Sequence, residues 1–333
     1  MAAQTVVITG ASGGVGRALA RKYGERGCSV GLLARGEAGL QGAKEEVEAR
    51  GGRAIAVPTD VADADQVEQA AEKVEAEFGP IDIWINNAMV TVLAKVWDVE
   101  PEEFKRVTDV NYLGVVHGCL AALKRMRPRN AGTVVNVGSA LAFRGIPLQA
   151  AYCGSKHAIQ GFTESLYTEL LHEDSNIDLC SVHLPGLNTT QFTWGRNKLD
   201  KLPQPVPPIF QPEVAADGII WAADNGRRET YVAASTPMTI WGNRLARGAV
   251  ARYLASSNIS AQQSDKSADL YPGDNLFEPQ DQDEDRGSHG PYDDKAHGVS
   301  PFDKVSQNRG KVAAVVAALA AGVTVALKFL RRG

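Results

Sequence analysis

A short β-branched run, Thr5-Val6-Val7-Ile8-Thr9, leads without a break into Gly10-Ala11-Ser12-Gly13-Gly14-Val15-Gly16, and Arg17 to Tyr23 then carries a helical pattern. This order constrains the fold more than anything else in the chain. A strand that enters a helix through a glycine turn is what a dinucleotide site requires. Gly10 permits the tight turn, Gly14 lets backbone approach a pyrophosphate, and Gly16 allows helix and strand to pack closely. The free N–H groups and positive dipole end of the helix favour an anion there. An ordinary flexible turn would not need those two flanking elements.

The pattern repeats along the chain. Strands are expected at Thr5–Thr9, Ser29–Ala34, Ala54–Pro58, Ile81–Asn86, Gly132–Gly138, Ile177–Leu184 and Glu229–Ala233, with helical stretches such as Ala62–Phe78 and Pro101–Met126 between them. Alternation of this kind calls for a parallel sheet covered by helices on both faces. Length alone, 333 residues, suggests two domains, yet no linker interrupts the alternation before about residue 256, so one domain over 1–255 is the expectation. The net charge of −4 carries no nucleic-acid footprint. Cys28, Cys119, Cys153 and Cys180 are scattered, which reads as buried free thiols in a reducing compartment. His117, His157, His172 and His183 have no metal-ligand spacing, and no metal is expected. With the first strand starting near residue 5, no signal peptide is expected and a cytoplasmic catalytic domain is.

Tyr152 and Lys156 lie four apart in a segment that continues as a helix, so both project from one face. A free phenol, with a pKa of about 10, is a poor proton carrier at neutral pH, and a neighbouring ammonium stabilises its phenolate. Ser139 follows the apolar run Thr133–Val137, where a strand would deliver its hydroxyl to a cleft. A helix carries Tyr-x-x-x-Lys by chance often enough that the pair needs other motifs to support it.

Those motifs are present. Thr9-Gly10-x-x-x-Gly14-x-Gly16, Asn86-Asn87-Ala88, Asn111, Ser139, Tyr152-x-x-x-Lys156 and Pro185-Gly186 resemble, in order and spacing, the short-chain dehydrogenase/reductase family over about residues 4 to 255. The resemblance implies a doubly wound Rossmann fold with a seven-stranded parallel sheet, and hydride transfer between a nicotinamide and a carbonyl or alcohol. It implies a catalytic tetrad of Asn111, Ser139, Tyr152 and Lys156. Tyr152 would be the acid/base and Ser139 would hold the substrate oxygen. Lys156 would lower the phenol pKa and bind the nicotinamide ribose, and Asn111 would keep a water relay behind Lys156. Met89 departs from the family, which has Gly after Asn-Asn-Ala. A homo-oligomer is also expected. A dinucleotide-binding sensor or scaffold is the alternative function, and the complete tetrad favours the enzyme.

The second strand ends Leu33-Ala34-Arg35 with no carboxylate. A guanidinium suits a 2′-phosphate, and Ser12 offers a further donor, so NADP is favoured over NAD. By the resemblance, Asp60 and Val61 would embrace the adenine, while Gly10, Ser12, Gly14, Gly16, Arg35, Asn87, Ala88, Tyr152, Lys156, Pro185, Gly186 and Thr190 complete the cofactor contacts. The segment after Gly186 would lie over the nicotinamide as a lid, with Asn188 where an aliphatic residue is more common. The Pro-rich Leu202–Phe210 is a cleft wall, a polyproline ligand for another protein, or a plain connector. Phe143, Trp194 and Phe210 suggest an apolar substrate pocket.

From Ser256 to about residue 310 the chain is rich in Asp, Gln, Ser, Gly and Pro, with the acidic block Asp281–Asp285, and reads as a disordered linker. Residues 311–333 contain Val312–Leu327, apolar on every face. Its length of roughly 24 Å approaches a ~30 Å hydrocarbon core, so a membrane anchor through 311–330 competes with a helix that docks on protein.

Overall fold

The computed structural model describes residues 3–308. Its centre is a seven-stranded sheet of β1 (Thr5–Thr9), β2 (Ser29–Ala34), β3 (Arg53–Pro58), β4 (Ile83–Asn86), β5 (Gly132–Ser139), β6 (Ile177–Leu184) and β7 (Glu229–Tyr231). The strand order is β7-β6-β5-β4-β1-β2-β3, and every neighbouring pair is parallel. The chain reverses its direction of winding between β1 and β4, and a crevice opens at the carboxyl ends of the strands there.

Both faces of the sheet are covered, which is why β1 and β2 are buried at every position. Successive side chains serve opposite cores. Val6 and Ile8 pack with Leu19 and Leu32 under α1 (Gly14–Glu25), α2 (Glu37–Glu48) and α8 (Pro212–Asp224), the helix that follows the one-turn α7 (Gln191–Trp194). Val7 packs with Val74, Trp84 and Met126 under α3 (Ala64–Phe78), α4 (Pro101–Thr108), α5 (Gly114–Met126) and α6 (Ala150–His172). Helix starts follow local chemistry: Asp63 accepts from Asp65 N and Gln66 N at the head of α3, and Glu100 and Glu103 form a capping box on α4. Between α4 and α5 lies a single π-turn, Asp109–Leu113, an irregularity often found at functional sites.

The expected disorder beyond residue 256 is not what the structure describes. The last long helix, α9 (Ser235–Ala261), runs past the expected boundary at 255, and the chain after it lies against the core. Gln263–Ser267 pairs antiparallel with Lys201–Pro203, and Ala296–His297 pairs with Ile209–Phe210. Arg17, 1% exposed, takes both oxygens of Asp285 at 2.9 and 2.8 Å. Asp303, just inside α10 (Pro301–Gln307), accepts from Ala233 N at 2.9 Å. A polar segment has little apolar area to bury, but these ion pairs and main-chain bonds satisfy it in another way. The apolar run expected as a helix over 311–333 lies outside the described residues. Among those described, no helix is long and apolar enough to cross a membrane.

Candidate active site

The glycine turn stands at the crevice. Gly10 has φ +66° and Gly14 φ +52°, conformations that side chains disfavour. A Cβ on Gly10 would lie 2.8 Å from Ala88 Cα, while one on Gly16 would overlap the carbonyl of Gly10. Gly16 is thus the residue that lets α1 press against the turn, and it does not line the cleft. The Asn87 side chain fastens the turn from β4, donating to Thr9 O at 2.9 Å and Gly10 O at 3.3 Å. Thr9 Oγ1 returns the contact by accepting from Asn87 N and Ala88 N. Gly13 caps α1 without a side-chain hydrogen bond, leaving the helix N–H groups for an anion. Met89 is not among the residues with positive φ, so this loop makes no demand for glycine.

β5 and α6 bring Ser139, Tyr152 and Lys156 to one end of the cleft, and Lys156 Nζ lies 5.6 Å from the centroid of the Tyr152 ring. Ser139 Oγ accepts from Leu141 N at 3.1 Å. Burial pushes the Tyr152 phenol up to about 12, and a hydrogen bond with Ser139 pulls against that rise. The Lys156 ammonium donates to Val137 O at 2.7 Å. Lys156 is itself drawn down to about 8 by burial. Asn111 sits within the π-turn, its Oδ1 accepting from Val90 N at 2.8 Å. Its Nδ2 donates to Val90 O at 3.0 Å and Ser155 Oγ at 3.2 Å. It ties the loop after β4 to α6 behind Lys156.

A cavity of about 650 Å³ joins the two motifs. Gly10, Ser12, Gly14, Arg35, Asp60, Val61, Asn87, Ala88, Pro185, Gly186 and Thr190 line it together with Tyr152 and Lys156. Asp60 reaches it with its carboxylate already engaged by Arg106 at 2.6 Å and by Ala62 N at 3.0 Å. The segment after Gly186 folds over the glycine turn, Trp194 and Thr190 standing against Gly13 and Thr189 against Gly14. Of the three uses weighed for the Pro-rich segment, the structure shows a wall: Gln204 to Pro208 line the cavity. Of the three aromatic residues expected there, only Trp194 lines it; Phe143 packs edge-on against His183, and Phe210 lies in the core. Asn188 is fully buried because its side chain anchors the tail, donating to Asp293 at 2.8 Å and accepting from Tyr292 N at 3.0 Å.

Several lining residues escaped the sequence reading. Met238 and Gly242, and beyond the kink at Ala246 Val250, Tyr253, Leu254, Ser257 and Ala261, come from α9, and the three- and four-residue spacing within each half is a helical signal that could have marked a face. Asn275, Pro279 and Asp281 come from the tail, where no periodicity announces them.

The short chain dehydrogenase family model matches residues 4–200. The chain belongs to the short-chain dehydrogenase family. Among its relatives in the family, the "Uncharacterized oxidoreductase YxnA" of Bacillus subtilis (strain 168) is 36% identical over 231 residues, covering 69% of this chain. The match spans 65% of that relative's length. A short chain dehydrogenase/reductase of Burkholderia phymatum, solved in complex with NAD, shares the fold with a TM-score of 0.66 and 24% identity, over 75% of this chain and 95% of that one. A metagenomic short-chain oxidoreductase in complex with NADP superposes with a TM-score of 0.58 and 26% identity, over 69% and 95%.

Proposed function

We propose that this protein is a nicotinamide-dependent oxidoreductase acting on a carbonyl or alcohol, with Tyr152 as its acid/base. The observation that carries the reading is the gathering of Ser139, Tyr152 and Lys156 at one end of a single cleft whose other end is the glycine turn. The cleft fits a dinucleotide: Gly10 and Gly14 leave room for backbone to approach it, and uncapped N–H groups of α1 face a pyrophosphate. Tyr152 and Lys156 would hold the nicotinamide ribose, with Pro185, Gly186 and Thr190 over the ring. When bound, the nicotinamide supplies or accepts the hydride. The chain's own groups handle the oxygen and the proton. Ser139 donates to the substrate oxygen, Tyr152 delivers its phenolic proton to that oxygen in reduction or withdraws it in oxidation, and the Lys156 ammonium stabilises the phenolate left behind. Ser12 and Arg35 on the cleft wall are donors suited to the 2′-phosphate of NADP, and the Arg35 guanidinium also donates to tail carbonyls.

Leu141, Ile146, Pro205, Met238, Val250 and Leu254 give the outer wall apolar surface, interrupted by Arg144, Gln149 and Gln204, which supports a substrate whose reacting oxygen is carried on a largely apolar body. A panel of aldehydes and ketones of increasing apolar size, followed by consumption of NADH and NADPH, tests the function. No oxidation of either cofactor with any member would overturn it.

The pH dependence follows from the two groups. Tyr152 keeps its proton to about pH 12, whereas Lys156 loses its charge as pH rises through about 8. Carbonyl reduction needs both the proton and the charge, so kcat/KM should be level below 8 and fall above it, by about tenfold per pH unit for a single group. A profile from pH 6 to 10 checks this, and a level profile to 10 contradicts it.

For the apolar run Val312–Leu327, we propose membrane attachment of the chain, with Arg309, Lys311, Arg331 and Arg332 near the headgroups. Full-length protein should resist a carbonate wash of membranes, and protein lacking residues 311–333 should be released with carbonyl reduction intact. Full-length protein recovered wholly in the wash rules the anchor out.

A further inference from the structure

Dinucleotide clefts separate the two nicotinamide cofactors at the adenosine ribose, where a carboxylate accepts from a free 2′-hydroxyl and repels a 2′-phosphate. β2 offers no such carboxylate, but the tail does. Asp281, 5% exposed, lies on the cleft wall between Ser12, Gly36 and Gly39, beside Arg35. A Cβ on Gly36 or Gly39 would overlap its carboxylate, so the two glycines form the cradle that admits it. Main chain fixes its position: Asp281 O accepts from Gly39 N at 3.1 Å and Gln282 O from Ala38 N at 3.2 Å. These bonds hold the carboxylate at the first turn of α2, where the helix dipole favours negative charge. Yet Asp281 Oδ2 is buried with no hydrogen-bond partner among the described residues, a costly state for a carboxylate oxygen unless a donor arrives.

Arg35, the residue that would otherwise attract a phosphate, is committed elsewhere. Its Nη1 donates to Phe277 O at 2.7 Å and to Leu276 O at 3.4 Å, and its Nη2 donates to Asn275 O. The guanidinium serves to seat the tail and, through it, Asp281.

We propose that Asp281, contributed by the C-terminal tail, is the ribose-binding carboxylate of this cleft and selects a dinucleotide with a free 2′-hydroxyl, NAD, over its 2′-phosphorylated counterpart. This rests on the cleft being a nicotinamide site. Titration of the full chain with NADH and with NADPH, followed by quenching of tryptophan fluorescence, reads the selection without turnover, because Trp194 lines the cleft. The parent should bind NADH roughly tenfold tighter than NADPH or better, as a hydrogen bond to a charged group is lost and repulsion gained. Asp281→Asn should remove most of that preference, weakening NADH and strengthening NADPH. Gly39→Ala, which displaces the carboxylate without changing charge, should act in the same direction. A parent that prefers NADPH, or an Asp281→Asn protein of unchanged melting temperature and unchanged preference, overturns the proposal. If Asp281→Asn fails to fold, the parent's preference and Gly39→Ala decide. Binding of neither nucleotide overturns the cofactor reading itself, an outcome distinct from a wrong preference.

Discussion

Replacing Tyr152 by Phe should lower kcat by about a thousandfold, within the 10²–10⁴ range of positioned acid–base groups, with nucleotide affinity nearly unchanged. The substitution keeps the ring that packs on α6 beside Lys156 and removes only the hydroxyl that carries the proton. Of the side chains at this end of the cleft, Ser139 also has a hydroxyl, but a serine hydroxyl is far too weak an acid to replace the phenol. Steady-state rates on any carbonyl the parent reduces, beside a nucleotide titration, test the assignment. A variant that keeps most of its kcat removes Tyr152 from the chemistry.

Gly16→Ala should be the most damaging single methyl in the chain. The added Cβ overlaps the Gly10 carbonyl, and Gly10 has no room to retreat, since Asn87 holds its carbonyl and that of Thr9. Overpacking of this kind costs about 1–3 kcal/mol, and the upper end applies where the neighbour is backbone. A fall in Tm of roughly 3–5 °C is the expectation at this chain size. Nucleotide binding should weaken with it, because the same shift displaces the turn that approaches the pyrophosphate. Calorimetry and titration together check both effects, and an unchanged Tm contradicts the packing argument.

The parts of the fold that could be read from sequence are those where side-chain chemistry and position coincide. Burial on both faces makes β1 and β2 continuous apolar runs, and such runs stand out. The limits of β3, β4, β5 and β7 were displaced because a strand ends where its pairing ends, which no residue type marks. Tyr152, Lys156 and Ser139 were legible by spacing alone. Asp281 was not. Composition measures what side chains gain by leaving water, and the tail is held largely by its backbone: three of its carbonyls face Arg35 and two face the amides of α2. Leu276, completely buried, and Tyr292, packed on Phe192 and Leu202, are apolar anchors too few to alter the average of an acidic stretch. The bonds of Arg35 to those carbonyls were equally hidden, since nothing in the sequence joins residue 35 to residues 275–277.

Two fastenings of the tail stand on opposite rims of the cleft. Near residue 276 the tail is fastened to Arg35 and Arg106 beside the end of β2, and near residue 292 to Asn188 in the segment that folds over the glycine turn. One length of chain therefore buckles both rims of the crevice, like a strap passed through two loops. Slack introduced at either fastening is felt at the other, so the wall beside Arg35 and the segment over the glycine turn cannot be altered as independent parts, and any redesign of entry to the crevice begins in residues far along the chain from Tyr152.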